Sequence, residues 1–471
     1  MIVFGTGGWR AIIGEDFTKE NLQRLMTALC RRMQKEEVAD RGLCIGYDRR
    51  FLSRQAAEWA AEVAAAHHIH TYLINREAPT PLIMFTVRQY QLGYGLAITA
   101  SHNPALYNGV KVFTKGGRDA VEAVTDELGV QANLVTADEI EFIPYQTALH
   151  RGLAEEINPQ NQYIDAVIRT LNMDAIRARN LKIILDPMFG VGRTSLQTIL
   201  LTARCDVDVI HERHDTLFGG RLPAPTVDTL KALQGTVLES HADIGIATDG
   251  DADRLGIIDD TGKFIHPNEI LVLLYYYLVK YKRWHGPAVR NLCTTHLLDA
   301  VAEKFGEACY EVPVGFKHIS SAMAEHNAVI GGESSGGLTV RGHIYGKDGI
   351  YAASLLVEML AVSGKKLSEL VQGLYDEFGY RYMAEFDWPF DVQMKERLTH
   401  LLLTEKRLPV FSEAVVGINY LDGCKVLFED GWIIARFSGT EPRIRVFCEM
   451  PTRARAEALC AEMAEFLGLE I

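Results

Sequence analysis

Short apolar runs alternate with longer segments of helical pattern along most of the chain. The run "GLCIGYD" precedes an Ala-rich stretch that begins after Ser53, and "LKIILDP" precedes a Gly-rich turn and "SLQTILL". The segments "ADIGIATDG" and "NAVIGGESSGG" follow the same strand-then-loop pattern. Continuous apolar strands that alternate with helices are typical of parallel sheets covered on both faces. The predicted fold class is therefore α/β, with mixed or parallel sheets.

Changes of pattern along the chain divide it into segments. Breaks are expected at the stretches "NPQNQ", "TGKFIHPNE" and "EFGYRYMAEFDWPF". After the last of these, strand patterns lead into a closing helix, "RARAEALCAEMAEFLG", which is typical of a smaller α+β unit. We predict α/β domains over residues 1–150, 160–260 and 261–375, followed by an α+β domain over 380–471.

The charge, the cysteines and the apolar runs of the chain limit the classes of partner and the cellular locations that the sequence allows. The chain has 61 acidic and 48 basic residues and a formal net charge of −13, which argues against a nucleic-acid or anionic-membrane surface. A few cations focused in a cleft could still bind a small anion. The eight cysteines show no CxxC spacing and fit reduced thiols. No apolar run reaches the roughly 20 residues of a membrane span, and the first residues lack a signal-peptide pattern. A cytoplasmic location is predicted.

Four loops with polar side chains each follow a strand-like run. They are "AITASHNP", "IGIATDGDADRLGII", "VIGGESSGG" and "IIARFSGTEPRIRV". In open α/β sheets, ligands bind outside the carboxyl ends of the strands. The four loops are therefore the candidates for a functional site.

The second loop carries three carboxylates at alternate positions, Asp249, Asp251 and Asp253. They repel one another unless a cation lies among them, and oxygen ligands suit Mg²⁺ or Ca²⁺. An EF-hand is excluded, because its glycine and glutamate positions are occupied here by Arg254 and Asp260. A solvated acidic turn is the alternative, but the apolar strands on both sides favour a metal site.

The fourth loop combines hydroxyl groups, small residues and guanidinium groups. Hydroxyls, closely spaced backbone N–H groups and forked arginine donors suit a phosphate, although an ordinary turn with exposed arginines would read the same way. The candidate anion ligands are Arg436, Ser438, Gly439, Thr440 and Arg445.

The first loop contains Ser101, which alone could be a polar residue in a turn. Beside a metal loop and a phosphate loop it becomes a candidate phosphoryl carrier, since such a serine needs a cation to neutralise phosphate charge and a base to take a proton. Lys111, ten residues further on, could be that base only if burial or neighbouring cations lower its pKa.

These motifs, from "FGTGGWRA" to "RFSGTEPRIRV", resemble those of the α-D-phosphohexomutases, the superfamily of phosphoglucomutase, phosphomannomutase and phosphoglucosamine mutase. The resemblance covers nearly the whole chain. It implies three similar α/β domains and a smaller C-terminal α+β domain around a central cleft. It further implies an intramolecular phosphotransferase in which a phosphoserine at Ser101 passes its phosphoryl group to a hexose phosphate through a bisphosphorylated sugar.

The resemblance also implies roles for individual residues. Mg²⁺ would be bound by Ser101, Asp249, Asp251 and Asp253. The reaction centre would be completed by Arg10, His102, Lys111 and Arg254. Sugar hydroxyls would be held by Glu333 and Ser335, and the non-reacting phosphate by Arg436, Ser438, Gly439, Thr440 and Arg445. Glucose 1,6-bisphosphate is the expected activator, and the protein is expected to be a monomer or a homodimer.

The sugar loop "GGESSGG" departs from two members of the superfamily. Gly337 stands where phosphomannomutase-type and phosphoglucosamine mutases more often have histidine, and Ser334 stands where the latter usually have glutamine. Lys317, in "PVGFKHI", matches a lysine that tends to face the substrate in phosphoglucomutases. The combination predicts glucose phosphate. Mannose phosphate or dual specificity is the alternative, glucosamine phosphate fits less well, and a non-catalytic sugar-phosphate binding protein is a different class.

Overall fold

The structure is a computed structural model, and it describes residues 1–438 and 442–469. Gly439 and Thr440, two of the predicted phosphate ligands, lie outside these ranges. None of the described helices combines the length and the apolar character that crossing a membrane requires.

The chain folds into two compact units. The first unit contains Met1–Ile270 and Ser335–Ser368, and the second contains Leu271–Ser334 and the described residues from Glu369 onward.

The N-terminal sheet is mixed and lies in the first unit. Its strands are β1 (Phe4–Gly5), β2 (Gly8–Ile12), β3 (Leu43–Tyr47), β4 (Thr71–Ile74), β5 (Tyr94–Ile98), β6 (Tyr107–Thr114), β7 (Arg118–Asp119) and β8 (Ala154–Ile157). Its helices are α1 (Lys19–Lys35), α2 (Ser53–Ala66), α3 (Thr80–Gln89), α4 (Glu122–Leu134) and α5 (Tyr145–His150). The order is β1-β2-β6-β5-β3-β4-β8, with β7 beside β6. Strand β3 is parallel to β4 and β5, and all five of its residues are buried, as its apolar sequence predicts.

The second sheet also lies in the first unit. Its strands are β9 (Lys182–Asp186), β10 (Asp206–Val209), β11 (Ile244–Thr248), β12 (Leu255–Asp259) and β13 (Phe264–Ile265). Its helices are α6 (Gln160–Ile168), α7 (Met173–Arg179), α8 (Arg193–Thr202) and α9 (Lys231–Ser240). The order is β10-β9-β11-β12-β13, parallel over the first three strands and antiparallel beyond β11. The antiparallel β11–β12 pair places the aspartate loop in a connection between two buried strands.

The third group of strands and helices lies between Pro267 and Phe378. Its strands are β14 (Ala288–Asn291), β15 (Cys309–Val312), β16 (Ile330–Gly332) and β17 (Leu338–Val340). Its helices are α10 (Pro267–Lys280), α11 (Leu297–Lys304), α12 (Phe316–Glu325), α13 (Gly349–Ser363) and α14 (Leu367–Phe378). In the second unit, β14 pairs in parallel with both β15 and β16. Strand β17 and helix α13 belong to the first unit.

The C-terminal sheet lies in the second unit and is entirely antiparallel. Its strands are β18 (Tyr382–Pro389), β19 (Val415–Asn419), β20 (Cys424–Phe428), β21 (Trp432–Phe437) and β22 (Arg443–Met450), in the order β18-β22-β21-β20-β19. Its helices are α15 (Val392–Thr399) and α16 (Arg453–Leu467). Helix α16 buries Leu459, Met463 and Leu467, one helical turn apart, in the core of this sheet. The predicted fold class, three α/β domains and a C-terminal α+β domain, is confirmed.

Candidate functional site

Ser101 lies in the turn between the antiparallel strands β5 and β6. It is completely buried, and its backbone has φ 52°, in the left-handed region. For a residue with a Cβ this conformation costs on the order of 1–3 kcal/mol and persists only where the surroundings hold it. The backbone N–H of Ser101 donates to Thr99 Oγ1 at 2.8 Å. Ser101 therefore occupies a constrained, buried position, which excludes the alternative of a solvated turn.

Asp48 and Arg50, which follow β3, fix the conformation of this turn through hydrogen bonds. The guanidinium of Arg50 donates to the carbonyl oxygens of Ser101 and Asn103, both at 2.7 Å, and Asp48 Oδ2 accepts from Thr99 Oγ1 at 2.6 Å. The guanidinium of Arg50 also donates to the carbonyl oxygens of Pro104 and Tyr107. The side chains of Asp48 and Arg50 are fully buried and form an ion pair at 3.3 Å. Sequence analysis missed both residues; the available signal was Asp48 at the carboxyl end of a predicted strand.

Asp249, Asp251 and Asp253 form a buried carboxylate cluster in the β11–β12 connection. One ligand oxygen from each lies within 4.8 Å of the others. The Oδ1 atoms of Asp251 and Asp253 are buried and have no hydrogen-bond partner among the described residues. Thr80 Oγ1 donates to Asp251 Oδ2 at 2.5 Å and fixes that carboxylate. Buried carboxylate oxygens left without donors fit a hard divalent cation such as Mg²⁺.

The structure brings Ser101 to this cluster. Ser101 Oγ donates to Asp249 Oδ2 at 2.9 Å. Burial raises the pKa of Asp249 to about 8, and the charges of Asp251 and Asp253 add to the shift. A cation among the three carboxylates would favour the ionised form of Asp249. The predicted set of four metal ligands therefore converges at one place.

Lys111, on β6, contacts the same carboxylates from the other side. Its Nζ lies 2.6 Å from Asp251 Oδ2 and 2.5 Å from Asp253 Oδ2. Burial lowers the pKa of Lys111, but the two carboxylates outweigh it, and the pKa lies above its ordinary value. The hypothesis that Lys111 is a base requires a lowered pKa, whereas its contacts with Asp251 and Asp253 favour the charged ammonium form, which would neutralise the carboxylates.

His102 places an imidazole nitrogen close to the serine hydroxyl. Its Nδ1 lies 3.4 Å from Ser101 Oγ. Burial lowers the pKa of His102 well below its ordinary value, and the charges of Arg254 and Arg10 add to the shift. A neutral imidazole at this distance can accept a proton, which an ammonium group cannot.

Arg10 and Arg254 make the surroundings of Ser101 positive. Arg10 Nη1 donates to Asn103 Oδ1 at 2.5 Å, in the same turn as Ser101. Burial lowers the pKa of Arg10 to about 10, and the charge of Arg254 adds to the shift. The Nε atoms of both arginines are buried and, within the described ranges, lack a hydrogen-bond partner. Two such guanidinium edges suit an anion with several acceptor oxygens, such as a phosphate.

Lys347 is a further member of this cluster that sequence analysis missed. Its Nζ lies 3.0 Å from Asp253 Oδ2. The loop that carries it is fixed by Asp348, which caps α13 and accepts a hydrogen bond from the buried Tyr163 at 2.7 Å. Gly337 lies against the stem of Lys347. The signal in the sequence was the absence of a side chain at Gly337, which leaves room for a group from elsewhere.

In the second unit, Glu333 follows β16 and lies beside the loop that precedes α12. Glu333 Oε1 accepts from Asn291 Nδ2 at 3.0 Å and from the backbone N–H of Gly315 at 3.3 Å. Lys317 lies in the first turn of α12, two residues after Gly315. Ser335 begins the segment that belongs to the first unit.

Arg436 and Arg445 face each other as directly paired residues of β21 and β22. Arg436 is 8% exposed, and its Nη2 donates to Asp422 Oδ2 at 3.2 Å. Its Nε is buried and has no hydrogen-bond partner in the part of the chain that the structure describes. Ser438 follows β21, and its N–H donates to the carbonyl of Arg443 at 2.8 Å. The described part of the predicted phosphate loop thus presents two arginines on adjacent strands.

The fold and these groups define a protein that can hold a divalent cation and phosphate groups. Four family models match the chain in order. They are the phosphoglucomutase/phosphomannomutase alpha/beta/alpha domains I (1–137), II (161–262) and III (266–378) and the C-terminal domain (398–466). The chain therefore belongs to the phosphoglucomutase/phosphomannomutase family, within the α-D-phosphohexomutase superfamily.

Individual relatives agree with this assignment. A phosphoglucomutase/phosphomannomutase of Thermococcus kodakarensis is 29% identical over 100% of this chain and 98% of its own. A phosphoglucosamine/phosphogalactosamine mutase of Sulfurisphaera tokodaii is 28% identical over 99% of both chains. The crystal structure of a phosphoglucomutase/phosphomannomutase family protein from Burkholderia thailandensis shares the fold, with a TM-score of 0.84 and 20% identity over 99% of this chain and 98% of that one. The prediction of a phosphohexomutase, an isomerase, is confirmed at the level of the superfamily.

Proposed function

We propose that the protein interconverts glucose 1-phosphate and glucose 6-phosphate through a phosphoserine at Ser101. The observation that carries this proposal is the contact between Ser101 Oγ and Asp249 Oδ2, at 2.9 Å, in a buried cluster of carboxylates and cations. A serine nucleophile for phosphoryl transfer needs both a cation and a proton acceptor, and candidates for both surround this oxygen. Domains over residues 1–150, 160–260, 261–375 and 380–471 each contribute one of the four loops.

The reaction consists of two phosphoryl transfers. In the first, the bond between phosphorus and the Ser101 oxygen breaks, and a new P–O bond forms with the 6-hydroxyl oxygen of glucose 1-phosphate. The sugar hydroxyl loses a proton and the serine oxygen gains one, so no proton is consumed. The glucose 1,6-bisphosphate so formed then reorients and returns its other phosphoryl group to Ser101. Externally added glucose 1,6-bisphosphate would activate the protein by phosphorylating Ser101.

The residues that would hold Mg²⁺ are Ser101, Asp249, Asp251 and Asp253. The buried Oδ1 atoms of Asp251 and Asp253, which lack donors among the described residues, support this assignment. When bound, Mg²⁺ supplies positive charge that neutralises the phosphate oxygens.

The remaining groups around Ser101 would bind phosphate and move protons. Arg10 and Arg254 would bind the phosphate oxygens through their guanidinium edges. The support is that the buried Nε atoms of both have no hydrogen-bond partner among the described residues, although Arg254 Nε lies 3.9 Å from Asp253 Oδ1. His102 exchanges the proton with the reacting oxygens, because it is the uncharged nitrogen group at 3.4 Å from Ser101 Oγ. Lys111 and Lys347 hold the carboxylates in place through their contacts with Asp253.

The sugar and its non-reacting phosphate would be held by residues of the sugar loop and the phosphate loop. Glu333 and Lys317, together with Ser335, contact the ring hydroxyls, and Arg436, Ser438, Gly439, Thr440 and Arg445 hold the phosphate. The choice of glucose rests on Ser334, Gly337 and Lys317. Mannose is the second candidate, favoured by the Thermococcus kodakarensis relative, and glucosamine is the third, favoured by the Sulfurisphaera tokodaii relative.

Phosphorus NMR tests the proposal, because it measures the conversion of every sugar 1-phosphate by the same method. The protein receives Mg²⁺, a trace of glucose 1,6-bisphosphate and either glucose 1-phosphate, mannose 1-phosphate or glucosamine 1-phosphate. We expect the fastest conversion with glucose 1-phosphate, loss of conversion in Ser101→Ala, and no loss in the control Ser363→Ala, at the end of α13. Faster conversion of another sugar contradicts the choice of glucose. Binding of sugar phosphates without conversion of any of them indicates a binding protein.

A further inference from the structure

One carboxylate oxygen joins the phosphate loop of the second unit to the loop before α12. Asp422 lies in the turn between β19 and β20. Its Oδ2 accepts from Arg436 Nη2 at 3.2 Å and from the backbone N–H of Val314 at 3.0 Å. A bond between charged partners is stronger and better directed than one between neutral groups. Asp422 thus ties Arg436 to a specific point on the neighbouring loop.

That loop continues directly to the sugar-binding glutamate. Val314 precedes Gly315, whose backbone N–H donates to Glu333 Oε1 at 3.3 Å. The contacts therefore run without interruption from Arg436 through Asp422 and this loop to Glu333.

The turn that carries Asp422 is itself fixed. Gly423 has φ 96°, and a Cβ there would lie 2.7 Å from Arg436 Cβ, so only glycine lets the turn approach Arg436 so closely. On one side of the turn, Asn419 Nδ2 donates to Glu311 Oε1 at 3.0 Å. On the other side, Lys425 Nζ donates to the carbonyl of Leu292 at 2.9 Å. The β19–β20 hairpin is thus anchored to the β14–β15 region on both sides of Asp422.

We propose that Asp422 is a positioning residue that sets the separation between the phosphate-binding arginine and the sugar-binding glutamate. This inference rests on the proposed function, which assigns those roles to Arg436 and Glu333. A hexose phosphate spans a limited range of distances between its phosphate and its ring hydroxyls, so both contacts form together at full strength only if the two side chains keep a separation within that range. Asp422 occupies one Nη of Arg436 and leaves the buried Nε for the phosphate.

The test compares Asp422→Asn with Asp422→Glu and with a matched control, Asp387→Asn. Asp387 also pairs with an arginine of the same sheet, Arg443, at 2.5 Å, but both side chains are partly exposed. We expect Asp422→Asn to raise KM for the hexose 1-phosphate about tenfold while kcat stays within about threefold, because the reacting atoms are held by other residues. Asp422→Glu recovers part of the loss, and Asp387→Asn keeps the KM of the unchanged protein.

Inorganic phosphate serves as a probe of Arg436 without the sugar, with Arg436→Ala measured in parallel to separate its contribution from phosphate binding at Arg10 and Arg254. Its inhibition constant is expected to rise in Asp422→Asn, and its affinity can be measured by calorimetry even without turnover. If the unchanged protein converts no hexose 1-phosphate, the proposed function fails, and the calorimetric comparison still decides the role of Asp422. The inference is overturned if Asp422→Asn keeps KM and phosphate affinity within twofold, binds phosphate more tightly, or lowers kcat alone.

Discussion

The stem of Lys347 occupies the space that a side chain at position 337 would need. A Cβ added to Gly337 would lie 2.3 Å from Lys347 Cδ, and Lys347 Nζ lies 3.0 Å from Asp253 Oδ2. The lysine thus reaches the carboxylate cluster across the glycine. In this chain, the contact between the amino group of Lys347 and Asp253 therefore depends on the absence of a side chain at position 337.

Gly337→Ala should displace Lys347 without unfolding the protein. The methyl group meets a flexible side chain rather than backbone, and Asp253 keeps its contact with Lys111, so we expect the free energy of unfolding to fall by only about 1–3 kcal/mol. The amino group moves away from Asp253, and kcat is expected to fall at least about tenfold. Steady-state kinetics and denaturant unfolding measure both quantities. Gly235→Ala, where nothing lies within 4 Å of the added Cβ, is the control and should keep kcat. Full activity in Gly337→Ala would show that the position of Lys347 is unimportant.

Arg50→Ala should destabilise the first unit and disable Ser101. The change leaves Asp48 buried without its cation and removes the donors that hold the Ser101 turn. Breaking a buried ion pair on one side costs about 3–5 kcal/mol, which denaturant unfolding can measure. The control is Arg54→Ala, whose pair with Glu58 at 3.1 Å is half exposed and should contribute less than about 1 kcal/mol. A loss from Arg50→Ala no larger than the control's would contradict the holding role of Arg50.

Binding of Mg²⁺ should release a proton at neutral pH. Burial raises the pKa of Asp249 to about 8 in the protein without metal, so this carboxyl is protonated at pH 7 and must ionise to bind the cation. Affinity for Mg²⁺ should therefore increase as the pH rises towards about 8 and level off above it. Calorimetry in two buffers of different ionisation enthalpy measures the proton release. In Asp249→Asn the release should vanish; its persistence would assign the proton to another group.

The same raised pKa predicts how stability depends on pH without metal. The folded pKa of Asp249 lies above its unfolded value, about 3.9, so the folded state binds the proton more tightly. Its stabilising contribution is complete below about pH 4 and is lost as the pH rises towards about 8. The free energy of unfolding should therefore fall across this range, and less so in Asp249→Asn. Saturating Mg²⁺ should reverse the fall, because the cation binds the ionised folded form.

The sequence predicts the loops that carry function but not the residues that hold those loops. Ser101 and the three aspartates could be found because they follow strand-like runs and carry groups with recognisable chemistry, and Arg436 because it lies near the end of such a run, before a loop of small and hydroxyl residues. Arg50 could not be found, because its acceptors are backbone carbonyls about 50 positions away. The role of Asp422 could not be predicted for a related reason, because its hydrogen-bond partner Val314 is 108 positions away in the sequence.

The protonation state of a buried lysine also depends on contacts that spacing along the chain does not reveal. From the sequence alone, Lys111 is a candidate base because it lies ten residues after Ser101. Pairing β6 against β5 places its amino group between two carboxylates instead, and they stabilise its charge.

The most direct test of the account is the transfer of a phosphoryl group from Ser101. The protein is incubated with glucose 1,6-bisphosphate and Mg²⁺, freed of sugar, digested and analysed by mass spectrometry, with Ser101→Ala treated in parallel. We predict a phosphorylated peptide that contains Ser101. When that phosphoserine carries labelled phosphorus and glucose 1-phosphate is added, the label should appear in glucose 1,6-bisphosphate and glucose 6-phosphate. Conversion of hexose phosphates with no phosphoryl group on Ser101, or undiminished conversion by Ser101→Ala, would contradict it.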